Sequence, residues 1–291
     1  MKPAPFEYHA PGTTTDAVAL LAGLGDGAKV LAGGQSLVPM LALRLAVFDH
    51  LVDVGRIAAL KGIDRRDDCV WIGASTTQAA VEASGDVATA VPLLARATPF
   101  IGHFQIRNRG TLGGSIAHAD PAGEYPAVAL ALDATMEVES TTGRRDIAAR
   151  DFFAGYWTTS MRADELLVGV RFPTWNGRRG FAVEEFARRH GDFAIAGAAV
   201  GVELDADDRI RRCGIGLIGL GSTPERATAA EAEVTGRPIA EVDPEALGRL
   251  AMAGLESVPS DANGAAPYRT RVGAAMVARA FTRAGAEALD G

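Results

Sequence analysis

Cysteine is scarce: the 291 residues contain two, Cys69 and Cys213, far apart in the chain. Two such thiols supply neither a four-thiolate cluster nor a Cys-x-x-Cys redox pair, so any iron–sulfur centre must belong to another chain. Both stand in apolar, strand-like stretches and read as small buried hydrophobes. Basic charge is short as well. Lys and Arg number 29 against 36 Asp and Glu, a formal charge of −7, which excludes the cationic footprint of a nucleic-acid-binding protein. No apolar run approaches the ~18 residues of a membrane span. The opening "MKPAPFEYHAPGTTT" lacks the basic and apolar regions of a signal peptide. A cytoplasmic location is expected.

Familiar site motifs are missing too. There is no Gly-x-x-x-x-Gly-Lys-Ser/Thr loop, and "GLGDGA" at Gly23–Ala28 follows a helix pattern rather than the strand a dinucleotide fingerprint needs. No Gly-x-Ser-x-Gly elbow or Cys/His pair offers a nucleophile, so no catalytic side chain is assigned. His103, His118, Asp120 and Glu124 lack any regular ligand spacing, and no metal is assigned to them. His118 and Asp120 are expected to shape a loop, and His190 to sit in a solvated turn.

What is present is a globular composition, 48% apolar and 22% charged, with length for about two domains. The opening reads as a small α/β unit, residues 1–56. "TTTDAVALLAGLG" is a helix with Thr14 or Thr15 as N-cap, Asp16 in its first turn and Gly25 at its end. "AKVLAG" is a strand, "PMLALRLAVFD" is helical with Pro39 in its first turn, and "HLVDVG" is a strand. A second unit, residues 57–177, starts with two strands around Arg65-Arg66-Asp67-Asp68 and a helical stretch broken at Pro92 and Pro99. "YPAVALALDA" is a helix or a buried strand, which periodicity does not settle. "TMEVEST" and "RRDIAARDFF" alternate like strands, and "DELLVGVRFP" is a strand ending at Pro173. The short polar segment Thr174–Gly180 marks the domain boundary. Residues 178–291 then read as three strands followed by alanine-rich helices, an α+β domain. "RIRR" and "NGRRG" read as solvated strand ends or turns, with contact to a partner as the lesser alternative. Arg107 and Arg109 of "RNR" either brace a loop or face a partner.

Two glycine clusters are unexplained by core packing: "AGGQSL" around Gly33-Gly34, and "GTLGGSIAHADPAGEYPA" from Gly110 to Ala127. Adjacent glycines allow φ > 0 and close approach of a ligand, and successive amides can form an anion-binding concavity. Gln35, Ser36, Thr111 and Ser115 add neutral donors. Two such loops far apart in sequence suit one ligand carrying two phosphates. On this reasoning Gly33→Val or Gly114→Val abolishes ligand binding and leaves the fold largely intact.

"KVLAGGQSLVPML" together with "GTLGGSIAHADPAGEYPA" closely resembles the flavin-binding medium subunit of molybdenum hydroxylases, the group of carbon monoxide dehydrogenase and xanthine dehydrogenase. The resemblance continues in "FEYHAPGTTTDAVALL", "HLVDVGRI", "DELLVGVRFP", "RRHGDFAIAGAAV" and "YRTRVGAAMVARA", nearly the whole chain. It implies the two-subdomain FAD-binding fold of the PCMH/xanthine dehydrogenase type, residues 1–177, followed by a C-terminal domain, 178–291, of a three-stranded antiparallel sheet plus helices. It implies FAD held by a first loop, Lys29, Val30, Leu31, Ala32, Gly33, Gly34, Gln35 and Ser36, and a second, Thr111, Leu112, Gly113, Gly114 and Ser115. Ile101, Glu124, Leu167 and Glu185 match further contact positions. Phe193 matches an aromatic position over the flavin ring in some relatives. Glu185 stands where lysine is common, and an acid cannot donate as an ammonium does. Ser115 stands where asparagine is more frequent.

The implied activity is electron transfer inside a larger oxidoreductase. Electrons from a molybdenum centre in a large molybdopterin subunit pass through [2Fe–2S] clusters of a small subunit to FAD, then to an external acceptor. The molybdenum cofactor and the clusters belong only to partner subunits, and the implied assembly is a dimer of heterotrimers. Two other readings remain at this stage. A free-standing FAD oxidoreductase of the same fold would be active when purified alone. A non-redox nucleotide-binding or assembly protein would hold a flavin that resists reduction.

Overall fold

A computed structural model describes residues 2–291. The opening strand β1 (Glu7–His9) precedes α1 (Thr14–Leu24), β2 (Ala28–Leu31), α2 (Leu37–Ala42) and β3 (His50–Asp53). The three strands form a parallel sheet in the order β1-β3-β2. The N-cap of α1 is Thr13, one residue earlier than the sequence suggested. Thr13 alone of the threonine run is extended, and its hydroxyl accepts from the Asp16 amide at 3.1 Å. Gly25 ends the helix at φ +61°, and Ala17, Val18 and Leu21 bury its inner face. Helix α2 is shorter than "PMLALRLAVFD" implied. It stops at Ala42, and Arg44 turns the chain at φ +56°.

The second unit contains β4 (Ile63–Arg65), β5 (Cys69–Gly73), α3 (Gln78–Glu82), α4 (Gly85–Ala90), α5 (Pro92–Ala97), α6 (Phe104–Arg107), α7 (Leu112–His118) and α8 (Glu124–Ala131). It continues with β6 (Thr135–Ser140), β7 (Gly143–Ala148), α9 (Ala149–Phe152), β8 (Phe153–Gly155), β9 (Thr158–Thr159) and β10 (Leu166–Pro173). Five of these strands make an antiparallel sheet, β4-β5-β10-β6-β7, and β8 with β9 makes a small hairpin. Besides the breaks at prolines, the helical stretch breaks at Ser84, whose hydroxyl caps α4 through the Val87 amide. The strand reading of "RRDIAARDFF" fails after Ala148, where one helical turn, α9, intervenes. The ambiguous "YPAVALALDA" is helical. Every residue of α8 is buried, so its polarity pattern carries no face, and only packing decides its form.

The last unit comprises β11 (Arg178–Phe186), β12 (Ala196–Leu204), β13 (Ile210–Ile218), β14 (Glu225–Arg226), α10 (Thr228–Val234), α11 (Pro244–Ala253) and α12 (Ala266–Asp290). The three long antiparallel strands are joined by the two-residue β14 as a fourth. Helices α10, α11 and α12 bury one face in a core that includes Val200, Ile215, Val277 and Phe281. The opposite face, with Phe181, Val183 and Ala199, joins the core of the second unit together with Leu94, Val128 and Phe172. Glycines let the layers approach: a Cβ at Gly216 would lie 2.0 Å from the Ala127 carbonyl oxygen on α8, and one at Gly180 equally close to that of Ala284 on α12.

The basic patches keep Asn176, Gly177, Arg209 and Arg211 exposed, as a solvated end or turn requires, while the half-buried Arg178, Arg179 and Arg212 are tied to the fold. Arg178 pairs with Asp208 and reaches the Leu289 carbonyl, Arg179 donates to the Thr89 carbonyl, and Arg212 pairs with Asp133. Both cysteines are buried and free. Among the described residues, no helix is long and apolar enough to cross a membrane.

Candidate functional site

A cavity of about 800 Å³ is lined by residues of the β2–α2 loop and of α7, with the segment Gly191–Phe193 that connects β11 to β12 on its third side. Fifteen of the residues named from the sequence line it: Lys29, Val30, Ala32, Gly33, Gly34, Gln35, Ser36, Ile101, Thr111, Gly113, Gly114, Ser115, Glu124, Leu167 and Phe193. Leu31, Leu112 and Glu185 do not. Leu112 is fully buried in the core beneath the loop, and Glu185 lies behind Glu124.

The two glycine loops work differently. In the first, Gly34 takes φ +73° and Ser36 is αR as α2 begins. Among the described residues, no acceptor meets the amides of Gly33, Gly34, Gln35 or Ser36, so a row of unpaired N–H groups borders the cavity. Such a row at a helix start binds an anion without a positive side chain. In the second loop the amides are already used. Leu112 N donates to Thr76 O at 3.0 Å, Gly113 N to Ala74 O at 2.9 Å, Gly114 N to Thr111 Oγ1 at 3.0 Å and Ser115 N to Thr111 O at 3.1 Å. The expectation that both loops offer their amides is therefore corrected: the second spends its amides on anchoring α7 and leaves the Ser115 side chain beside the cavity.

The glycines themselves answer first to packing. A Cβ at Gly33 would sit 2.2 Å from the Arg109 carbonyl oxygen, and one at Gly113 would lie 2.5 Å from the Ala74 side chain. Gly33 is what lets the first loop rest on the backbone at Arg109-Gly110, just before the second loop. Gly33→Val would separate the loops, which overturns the expectation of an intact structure around an obstructed ligand. Arg107 acts as a brace: it pairs with Glu82 and donates to the Ile101 carbonyl at 3.2 Å, while Arg109 is exposed.

The floor of the cavity holds a buried acid, Glu124. Burial and the neighbouring Glu185 push the Glu124 carboxyl up to about 8, and burial pushes Glu185 up to about 7. Glu185 Oε2 is buried without a hydrogen-bond partner. Burial thus favours the neutral form of each acid, and an anionic ligand meets less negative charge than two carboxylates would present. Burial also lowers the His118 pKa, despite Asp120 at 3.8 Å, and favours its neutral form.

Two groups at the site escaped the sequence reading. Trp157, at φ +51°, stacks on His118 with ring centroids 5.6 Å apart and lines the rim beside Tyr156. Gln78 presents a buried Oε1 with no partner. Neither had a local signal: Trp157 reaches the site through the β8–β9 turn, and Gln78 is the first residue of a five-residue helix.

A cradle of free amide donors, a spare amide oxygen as acceptor and exposed aromatics at the rim form a polar set and shape that fit FAD. Comparison with known proteins agrees. The model of the FAD binding domain in molybdopterin dehydrogenase matches residues 4–175, and that of the CO dehydrogenase flavoprotein C-terminal domain matches 181–284. The chain is 41% identical to the 6-hydroxypseudooxynicotine dehydrogenase complex subunit alpha of Paenarthrobacter nicotinovorans, over 98% of this chain and 96% of that one. It is 38% identical to the carbon monoxide dehydrogenase medium chain of Hydrogenophaga pseudoflava, covering 98% of each. The structure of carbon monoxide dehydrogenase from Hydrogenophaga pseudoflava superposes with a TM-score of 0.95 at 40% identity, covering 99% of each chain. Quinoline 2-oxidoreductase from Pseudomonas putida 86 superposes at 0.92, with 34% identity and 99% and 100% coverage. The chain thus belongs to the FAD-binding medium subunits of the molybdenum hydroxylases, and is the flavoprotein component of an oxidoreductase complex.

Proposed function

We propose that this chain receives electrons from the [2Fe–2S] clusters of a small partner subunit and delivers them to an external acceptor, while a large molybdopterin subunit hydroxylates the substrate. The proposed assembly is a dimer of such three-chain units. FAD, when bound, supplies a redox centre that exchanges electrons singly with a cluster and in pairs with an acceptor. The observation that carries the reading is the row of unpaired amides at Gly33–Ser36, opening on one cavity shared with the Thr111–Ser115 loop.

In this reading the free amides of Gly33, Gly34, Gln35 and Ser36 would hold the pyrophosphate, with the Ser115 hydroxyl as a further donor. Glu124, protonated with Glu185 as its neighbour, donates to the nucleotide where a pair of carboxylates would repel it. Phe193 and Trp157, both exposed, cover the ring system at the rim. Residues 1–177 form the cofactor domain, and residues 178–291 contribute the closing segment. No side chain in the cavity forms a nucleophile system, and the redox chemistry rests with the cofactor.

The test is the visible spectrum of the purified chain after addition of FAD and desalting, followed by stopped-flow reduction of the flavin by its reduced [2Fe–2S] partner. Retained flavin reduced by the partner and not by NAD(P)H alone is the expected result. Rapid turnover of NAD(P)H by the isolated chain would replace this reading with a free-standing oxidoreductase. Retained flavin that no partner reduces would replace it with a nucleotide-binding role.

A further inference from the structure

Strand β1 carries side chains that line no part of the flavin cavity. The two-residue period of a strand puts Glu7 and His9 on one face, and the parallel register seats His50 of β3 opposite Glu7. His9 Nε2 lies 3.2 Å from His50 Nδ1. Glu7 Oε2 is 3.5 Å from His50 Nδ1 and 3.9 Å from His9 Nε2. Three possible ligand atoms thus lie within 4.8 Å of one another, and the two ring nitrogens can share a single hydrogen between them. Four-coordinate zinc with bonds of 2.0–2.1 Å sets its ligands about 3.3 Å apart, and the three separations depart from that edge by no more than about 0.6 Å. Both imidazoles are about three-quarters buried, at 25% and 24% side-chain exposure, while Glu7 at 74% leaves the outer side to solvent.

We propose that Glu7, His9 and His50 bind a divalent cation of the zinc class, with water in the fourth position, and that the ion ties the edge strand β1 to β3. Two imidazoles and one carboxylate suit zinc over calcium or magnesium, which prefer all-oxygen sets. No thiolate competes, since Cys69 and Cys213 are both buried elsewhere in the fold. The bare alternative is a shared proton in place of the metal.

The full chain, stripped with chelator, is titrated with Zn²⁺ by calorimetry and with Co²⁺ by visible absorption. Expected are one ion per chain, the intense bands of four-coordinate cobalt, and slower amide hydrogen exchange across β1 and β3 when zinc is bound. His9→Gln and His50→Gln are expected to weaken binding by at least about tenfold, and Glu7→Gln by a smaller factor. His103→Gln with His190→Gln is the control, because those two rings also lie near each other, 6.2 Å apart, and it leaves binding unchanged. Circular dichroism of each metal-free variant verifies its fold. Failure to take up one ion, uptake that survives His9→Gln and His50→Gln, uptake lost in the control, or exchange in β1 unaltered by zinc would each overturn the proposal.

Discussion

Gly33→Ala tests whether the first glycine serves loop docking or ligand clearance. The added Cβ would meet Arg109 O at 2.2 Å, and Arg109 C and Gly110 Cα at 2.8 Å, where ordinary contact begins at 3.4 Å. The obstructing atoms are backbone, so no rotamer change relieves them, and the loops must part by about 1.2 Å. Overpacking of this kind costs roughly 1–3 kcal/mol. In the free protein the half-buried first loop carries no ligand and can shift, so part of the cost disappears. With FAD bound, both loops must close on one ligand, and the cost returns as lost affinity, about 5- to 150-fold in Kd. The assay is FAD titration followed by flavin fluorescence, beside thermal unfolding of the apoprotein. The affinity loss and the fall in apo stability should together account for the overpacking cost. Gly114→Ala is the internal contrast, because its Cβ would meet the Thr111 hydroxyl at 2.8 Å, a side chain that can turn away by giving up its cap on the Gly114 amide. Its cost is nearer the ~1 kcal/mol of a lost helix cap. A Gly33→Ala protein that binds FAD as tightly as the parent and unfolds at the same temperature would refute the docking argument.

Two further outcomes are expected. The Glu124–Glu185 pair binds protons more tightly folded than unfolded, so its contribution to stability is complete below the ordinary carboxylate pKa of 4.5 and is lost as pH rises toward about 8. Thermal stability and FAD affinity should both decline through that window, the affinity by at least about tenfold between about pH 6 and pH 9. Glu124→Gln should flatten both profiles; a profile that keeps its slope in the variant assigns the titration elsewhere. Arg269 is 3% exposed and donates to the carbonyls of Ile195 at 2.6 Å and Gly219 at 3.2 Å, and to Asp261 at 2.7 Å. Arg269→Leu strands those acceptors and should cost about 2–4 kcal/mol, read as a lower Tm. It should also weaken FAD binding, because Ile195 anchors the segment that carries Phe193; unchanged affinity at reduced stability would separate that segment from the site.

Much of the site could be read from the chain because its loops are punctuated locally. Gly33-Gly34 and Gly113-Gly114 stand out wherever the chain is read, and the small polar residues beside them announce exposed donors. The opening unit was legible for the same reason: a threonine cap, an apolar stripe and Gly25 are all features of neighbouring residues. What misled was the assumption that a glycine beside a site serves the ligand. Gly33 and Gly113 meet protein backbone and side chains first, through contacts made across 76 and 39 residues of chain.

By itself the sequence determined most of the longer strands and helices, the positions of the two loops, the two isolated cysteines and the family, because periodicity, caps and motifs are written over a few consecutive residues. Only the tertiary structure decided that α8 is a helix, since a run apolar on every side has no face to read. It alone decided that the first loop keeps its amides free while the second spends them on Ala74, Thr76 and Thr111. It also brought Trp157 to the rim, Glu185 behind Glu124 and His50 beside Glu7. Each of these depends on which backbone lies across from which, and on the charge and solvent that this proximity removes. Strand register and layer packing set those relations over long separations, where no pattern of neighbouring residues records them.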